Sequence, residues 1–180
     1  MTRTLFGGLG AATLLVIVAS CSASTTNYQE AATKVIQGQL QDELGMGELD
    51  ATCEEPTSND VGTTFSCTAD TPKGDTITLT AEIQKGKKVF VQTTNVLTAD
   101  NLTEIEREAA RILSEKVGQD LPAEAIDCGP EAIVATAGEP FVCSLSDPSN
   151  PTVVYDTSIT LDDLTKPTQL NVQVASAPRP

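Results

Sequence analysis

The 180-residue chain has no histidine and no tryptophan, four Phe, two Tyr, and 11 Lys and Arg against 25 Asp and Glu, for a net charge of −14. Each shortage narrows the possible functions. Without His there is no Ser-His-Asp triad and no Cys-His dyad, and the commonest metal ligand is missing. The few aromatics argue against a surface on which sugars or bases stack. The shortage of cations argues against nucleic acid, whose phosphates demand Lys and Arg, and against a broad footprint on anionic lipid. The acidic surplus is read as a solubilising surface. No apolar run reaches the roughly 20 residues that a membrane-spanning helix needs.

A shorter apolar run is present. Arg3 is the only charged side chain in the first twenty residues, and the run from Leu5 to Ala19 is broken by Gly7, Gly8 and Gly10. A charged start, a short apolar middle and small residues before a cut site make a secretory signal. It ends in Val18-Ala19-Ser20-Cys21, which resembles the lipobox of bacterial lipoproteins. That resemblance implies diacylglycerol on the Cys21 thiol and cleavage before it, and two or three acyl chains suffice for stable anchoring. Residues 1–20 are thus the expected signal and residues 21–26 a small, polar tether. Cys21 to Asn27 spans at most about 25 Å when extended. Removing residues 1–20 takes away Arg3 and no acid, leaving ten basic side chains against 25 acidic ones.

Setting Cys21 aside leaves an even four cysteines: Cys53, Cys67, Cys128 and Cys143. In an exported chain these read as disulfides. Four cysteines allow three connectivities, and an internal repeat selects among them. Asn27 and Glu30 have capping-box spacing ahead of a helical stripe at Ala32, Val35, Ile36, Leu40 and Leu44, which Gly45 and Gly47 end. Cys53 and Phe65-Ser66-Cys67 follow. Residues 75–83 then alternate with Ile77, Leu79, Ala81 and Ile83 on one face, and Lys87 to Gln92 returns across Gln84-Lys85-Gly86 as a hairpin. The pattern restarts with a helical stripe at Leu102, Ile105, Ala109, Ile112, Leu113 and Val117, stopped by Gly118. Cys128, Phe141-Val142-Cys143, Val153 to Leu161 and Leu170 to Val174 follow in the same order. A shared order of helix, Cys, Phe-x-Cys, strand and strand is a tandem repeat. Each unit owns one cysteine pair, so Cys53–Cys67 and Cys128–Cys143 are the economical disulfides. A four-cysteine zinc site is disfavoured, because zinc knuckles place cysteines two to four residues apart.

Signal, lipobox and two units of helix, cysteine pair and antiparallel sheet resemble an actinobacterial envelope lipoprotein family whose module is a domain of unknown function. The resemblance covers both units and rests on the cysteine pairs and Phe-x-Cys. It implies envelope location and fold, and no activity.

The remaining motifs have bland readings. Lys85-Gly86-Lys87-Lys88 could touch headgroups or an acidic partner, but edge lysines also block strand pairing. Glu54-Glu55 and Asp162-Asp163 lack a calcium-loop pattern and, on strands, would point to opposite faces. Ser114 and Lys116 stand two apart on a helix and do not face each other. Asn101-Leu102-Thr103 matches a glycosylation sequon but reads as a helix cap. Phe65 and Phe141 read as core anchors. The expectation is an α+β protein: 1–20 signal, 21–26 tether, 27–98 and 99–175 repeat units of one helix on about four antiparallel strands with one disulfide, and 176–180 a disordered tail. Functionally it is expected to be a membrane-anchored, extracytoplasmic, non-enzymatic binding module, lipidated at Cys21, with a possible envelope protein partner, no nucleic acid, no metal and no cofactor. The alternative is an inhibitor or regulator of an exported enzyme, similar in layout to β-lactamase-inhibitor proteins.

Overall fold

Helix formation begins where the sequence places a cap. In the computed structural model, which describes residues 17–20 and 27–180, the Asn27 side chain accepts a hydrogen bond from the Glu30 amide and opens α1, Tyr28–Val35. The Glu30 carboxylate pairs with Lys34 one turn on, at 2.6 Å. A π-helical turn, Ile36–Leu40, leads into α2, Gln41–Leu44, which ends at Gly45 in the left-handed conformation, φ 66°. The π turn has a cause in the sequence. Ile36, Leu40 and Leu44 are spaced by four, and four α-helical steps overshoot a full turn by roughly 40°. Repeated, that drift carries Leu44 off the apolar stripe. A wider π turn takes up the excess, and all three residues are buried.

This helical segment covers an antiparallel meander of β2 (Asp50–Cys53), β3 (Thr64–Asp70), β4 (Thr76–Gln84) and β5 (Lys88–Thr93), ordered β5-β4-β3-β2. Ile77, Leu79, Ala81 and Ile83 are buried under the helix, and Thr76, Thr78 and Thr80 face water. β-Branched threonine suits the wet face of such a sheet because it favours extended backbone and tolerates solvent. A further strand, β1 (Ile17–Ser20), pairs antiparallel with the free side of β5, Ile17 opposite Val91 and Ser20 opposite Lys88. It comprises the last four residues of the expected signal; the rest of that segment and the tether lie outside the described residues.

Thr98 and Asn101 form a reciprocal capping box that opens α3, Ala99–Val117. Asn101 thus serves as the third helical residue of the box and not as the cap itself. Leu102, Ile105, Ala109, Ala110 and Leu113 are buried. Val117, expected on that stripe, is 63% exposed. The step of four from Leu113 rotates it away, and no π turn resets the phase. α3 lies on a second antiparallel sheet of β7 (Ile126–Asp127), β9 (Pro140–Asp147), β10 (Asn150–Leu161) and β11 (Leu170–Pro178), ordered β11-β10-β9-β7. The expected disordered tail is corrected here. Strand β11 runs through residues 176–178, with Pro178 opposite Tyr155. The Arg179 amide then donates to the Val154 carbonyl, and its guanidinium pairs with Asp156 at 2.5 Å. Proline is tolerated because β11 is an edge strand, where a missing N–H need not break a ladder.

Between the sheets, β6 (Val96–Leu97) pairs with β8 (Ile133–Val134). Val96 and Val134 pack on the first buried cluster, whereas Leu97 and Ile133 belong to the second. Strand alternation thus sends one side chain of each residue pair to either core. Asn95 pins the approach. Its side chain accepts from the Thr78 amide and donates to the Thr76 carbonyl, while its own carbonyl accepts from the Ala135 amide.

Among the described residues, one buried hydroxyl is unsatisfied. Thr157, fully buried on β10 opposite Cys143, has no hydrogen-bond partner for Oγ1. Thr157→Val is expected to raise the unfolding free energy by about 1 kcal/mol, since it removes a desolvated polar atom at nearly constant shape. A denaturant midpoint at or below that of the parent chain refutes this.

Candidate functional site

The four described cysteines form two bridges, Cys53–Cys67 and Cys128–Cys143, with Cα atoms 4.0 and 4.3 Å apart. Their position follows from the ladder. The Glu54 amide donates to the Ser66 carbonyl, so those two are a hydrogen-bonded pair and the preceding pair, Cys53 and Cys67, is not. Non-hydrogen-bonded pairs bring Cα atoms closest, close enough for a disulfide to cross between neighbouring strands. Cys53 lies on β2 and Cys128 directly follows β7, so each bridge ties the outermost strand on its side of the sheet to its neighbour. Each is also held from the overlying helix. Gln29 Nε2 donates to the Cys53 carbonyl at 2.6 Å, and the Cys128 amide donates to Glu106 Oε1 at 2.9 Å. Neither polar residue stands out in the sequence, because its partner is 22 or 24 positions away.

The other candidates do not converge. Ser114 Oγ donates to the Ala110 carbonyl and accepts from the Leu121 amide, and Lys116 Nζ donates to the Val172 carbonyl. Both groups are engaged with backbone, so no nucleophile and base face each other. Glu54-Glu55 and Asp162-Asp163 follow the ends of β2 and β10 and do not lie on strands, contrary to the geometry expected for them. Phe65 is buried in the first cluster, and Phe141 packs at the edge of the second. Lys85, Lys87 and Lys88 are exposed at the β4–β5 turn. Cys21, which the lipobox resemblance led us to expect as the lipidated residue, lies outside the described residues. Among the described residues, no group of His, Cys, Asp or Glu is placed to hold a metal ion, and no helix is long and apolar enough to cross a membrane.

Two clefts remain. One, about 370 Å³, lies where α2 meets the start of α3 and is rimmed by Glu43, Asp100 and Glu131. It has no aromatic wall, and the exposed large apolar residues of the described chain are single valines at 61, 117, 142 and 174. The other cleft, about 360 Å³, lies between α3 and the β10–β11 loop and includes Arg107, Glu108 and Lys166. Two of its charged residues pair with neighbours outside it, Glu108 with Arg111 and Lys166 with Asp163. Arg111 bonds Glu108 at 2.6 Å and also reaches Glu115. The hydrogen bond from Arg111 holds the Glu108 carboxyl below the usual range and raises the guanidinium above its own. In the loop, hydrogen bonds from the Thr165 hydroxyl, then from Lys166 and the Thr165 amide, hold Asp163 at about 2. A depressed carboxyl stabilises the fold fully above its unfolded pKa and ceases to as pH falls through the folded one. The stability difference between the parent chain and Asp163→Asn is therefore expected to be constant above about pH 5 and to vanish between pH 4 and pH 2. A carboxyl titration by NMR with its midpoint at the ordinary aspartate value contradicts this.

No protein-family model, no curated protein and no solved structure matches this chain.

Proposed function

We propose that the chain is an exported lipoprotein, acylated at Cys21 and held at the extracytoplasmic face of a cell membrane, that works by binding an envelope protein or small ligand and not by catalysis. The observation that carries this reading is Val18-Ala19-Ser20-Cys21 at the end of a charged-then-apolar leader. Two disulfides suit an oxidising compartment. The absence of His and the engagement of Ser114 and Lys116 with backbone support a binding role over a catalytic one.

The chain is further read as two tandem copies of one unit, residues 27–98 and 99–175. The support is a shared cross-strand rung. Cys53, Cys67, Leu79 and Thr93 stand side by side in the first sheet, and Cys128, Cys143, Thr157 and Val174 do so in the second. Matching members are 75, 76, 78 and 81 positions apart, so the insertions fall in the turns. On this reading, processing after Ser20 removes β1 and leaves the two sheets with the same strand plan. Thr157 then occupies the place of Leu79, which accounts for a polar residue in an apolar slot.

The amino-terminal peptide of protein extracted from membranes is expected to begin at Cys21 and to carry acyl mass. Cys21→Ala is expected to move the protein out of that form. A mature peptide with unmodified Cys21, or one retaining residues 1–20, defeats the reading. Crosslinking on intact envelopes is expected to give a neighbour with the parent chain and not with Cys21→Ala; equal recovery from both counts against an anchored binder.

A further inference from the structure

Strand directions divide the first sheet into two ends. β4 runs toward the turn Lys85-Gly86-Lys87, and Gln84 pairs with Lys88 across it. Beside that end, the Gly62 amide donates to the Ile83 carbonyl, and the Ile83 amide to the Thr63 carbonyl, so the loop after β2 reaches the same place. Asn27 and Tyr28, at the amino end of α1, share a cleft with Glu55 to Asn59 of that loop, and Gln29 bonds the Cys53 carbonyl. The chain therefore enters the fold at the end of the sheet that carries the lysine turn. The opposite end carries the Lys73–Glu131 ion pair and the β6–β8 ladder, where the second sheet is joined.

Both halves are acidic, and the surplus is larger in the second. Residues 27–98 hold 11 acidic and five basic side chains, three of the latter being Lys85, Lys87 and Lys88. Residues 99–175 hold 14 acidic and four basic ones. Glu54, Glu55 and Asp60 lie on the adjacent loop, so the cationic region is confined to the β4–β5 corner. The turn is also conformationally unusual. Lys87, at φ 59°, is the one non-glycine residue with positive φ among the described residues. A lysine there is strained where glycine is free to adopt the same backbone, and such outliers cluster at functional positions.

We propose that Lys85, Lys87 and Lys88 form a headgroup-contact site that seats the protein on an anionic membrane surface, with the second sheet pointing away from it. This rests on the lipid anchor at Cys21. Surface charges act only over a Debye length of about 8 Å at physiological salt, and a tether of at most about 25 Å keeps this end of the sheet close enough to sample that layer. The acid-rich second half is repelled by the same surface, so attraction at one end and repulsion at the other set a single orientation.

The test uses full protein extracted with its acyl group, reconstituted into vesicles of phosphatidylcholine alone or with added phosphatidylglycerol. The rate at which a water-soluble reagent acylates each lysine amine is read by mass spectrometry. Lys85, Lys87 and Lys88 are expected to react about fivefold more slowly on the anionic vesicles, the factor set by the surface attraction of one lysine. Lys73 and Lys166 are expected to be unchanged. The protection is expected to disappear in about 1 M salt, where screening is near 3 Å. In the double variant Lys85→Gln, Lys88→Gln, Lys87 is expected to lose most of its protection. Equal rates on the two vesicles, with acyl mass present, overturn this inference and leave the anchor standing. An unmodified Cys21 overturns both.

Discussion

Everything in this structure depends on how thin each core is. Among the described residues, each sheet is covered by helix on one face, and one outermost strand of each is short: β2 has four residues and β7 two. Strands of that length contribute little burial and few ladder bonds, so alone they would fray. A disulfide fixes each of them covalently, on a non-hydrogen-bonded rung at Cys53–Cys67 and directly past the end of β7 at Cys128–Cys143, where the Cα atoms already lie close. With each bridge closing a loop of about 15 residues, the chain-entropy model assigns about 3 kcal/mol apiece. That is a large share of the stability of a small domain. Gln29 and Glu106 extend the constraint to the helices, so helix, edge strand and bridge in each half form one connected unit.

The junction uses the same economy. Four residues in β6 and β8 serve two cores at once because extended backbone alternates its side chains. Asn95 supplies both a donor and an acceptor to β4 just past the end of β5, replacing with a side chain the ladder that the departing strand gives up. The two sheets are thus joined by shared burial and by backbone hydrogen bonds, not by a bare linker.

The proposed binding role draws on what four polar side chains are already doing. Ser114, Lys116, Glu108 and Asp163 are each engaged in capping, bridging or turn formation. Side chains committed in this way are not poised for proton transfer or nucleophilic attack, which need a base and a nucleophile in mutual reach. What remains is a surface with a sense of direction: chain entry and the lysine turn at one end, and a heavy acidic surplus at the other. Orientation relative to a surface matters to a tethered binding protein in a way that it does not to a freely diffusing one.

Much of the architecture was legible in the sequence because it is periodic. The alternation of Ile77, Leu79, Ala81 and Ile83, the stripe from Leu102 to Leu113 and the repeated Phe-x-Cys are local patterns that one buried face imposes on any chain. Where phase had to be carried across several turns, local pattern failed. Val117 drifted off its stripe, and the π turn at Ile36–Leu40 was needed to keep Leu44 on the other. The segment around Ile133 and Val134 carried no readable element, because two residues have no period, and the partners that make them a strand are Val96 and Leu97. The last residues read as a tail because Pro178 and Pro180 suggest an end, whereas an edge position beside Tyr155 makes a strand of them. By itself, the sequence determined which residue types are missing, the short apolar run before Cys21, the mixed α+β class and the cysteines available to pair, since these depend on residue identity and short-range period. Only the tertiary structure decided which end of the first sheet receives the chain, that Thr157 lies buried without a partner, and that the lysine turn shares its end with the start of α1, because each of these depends on which distant strands lie side by side.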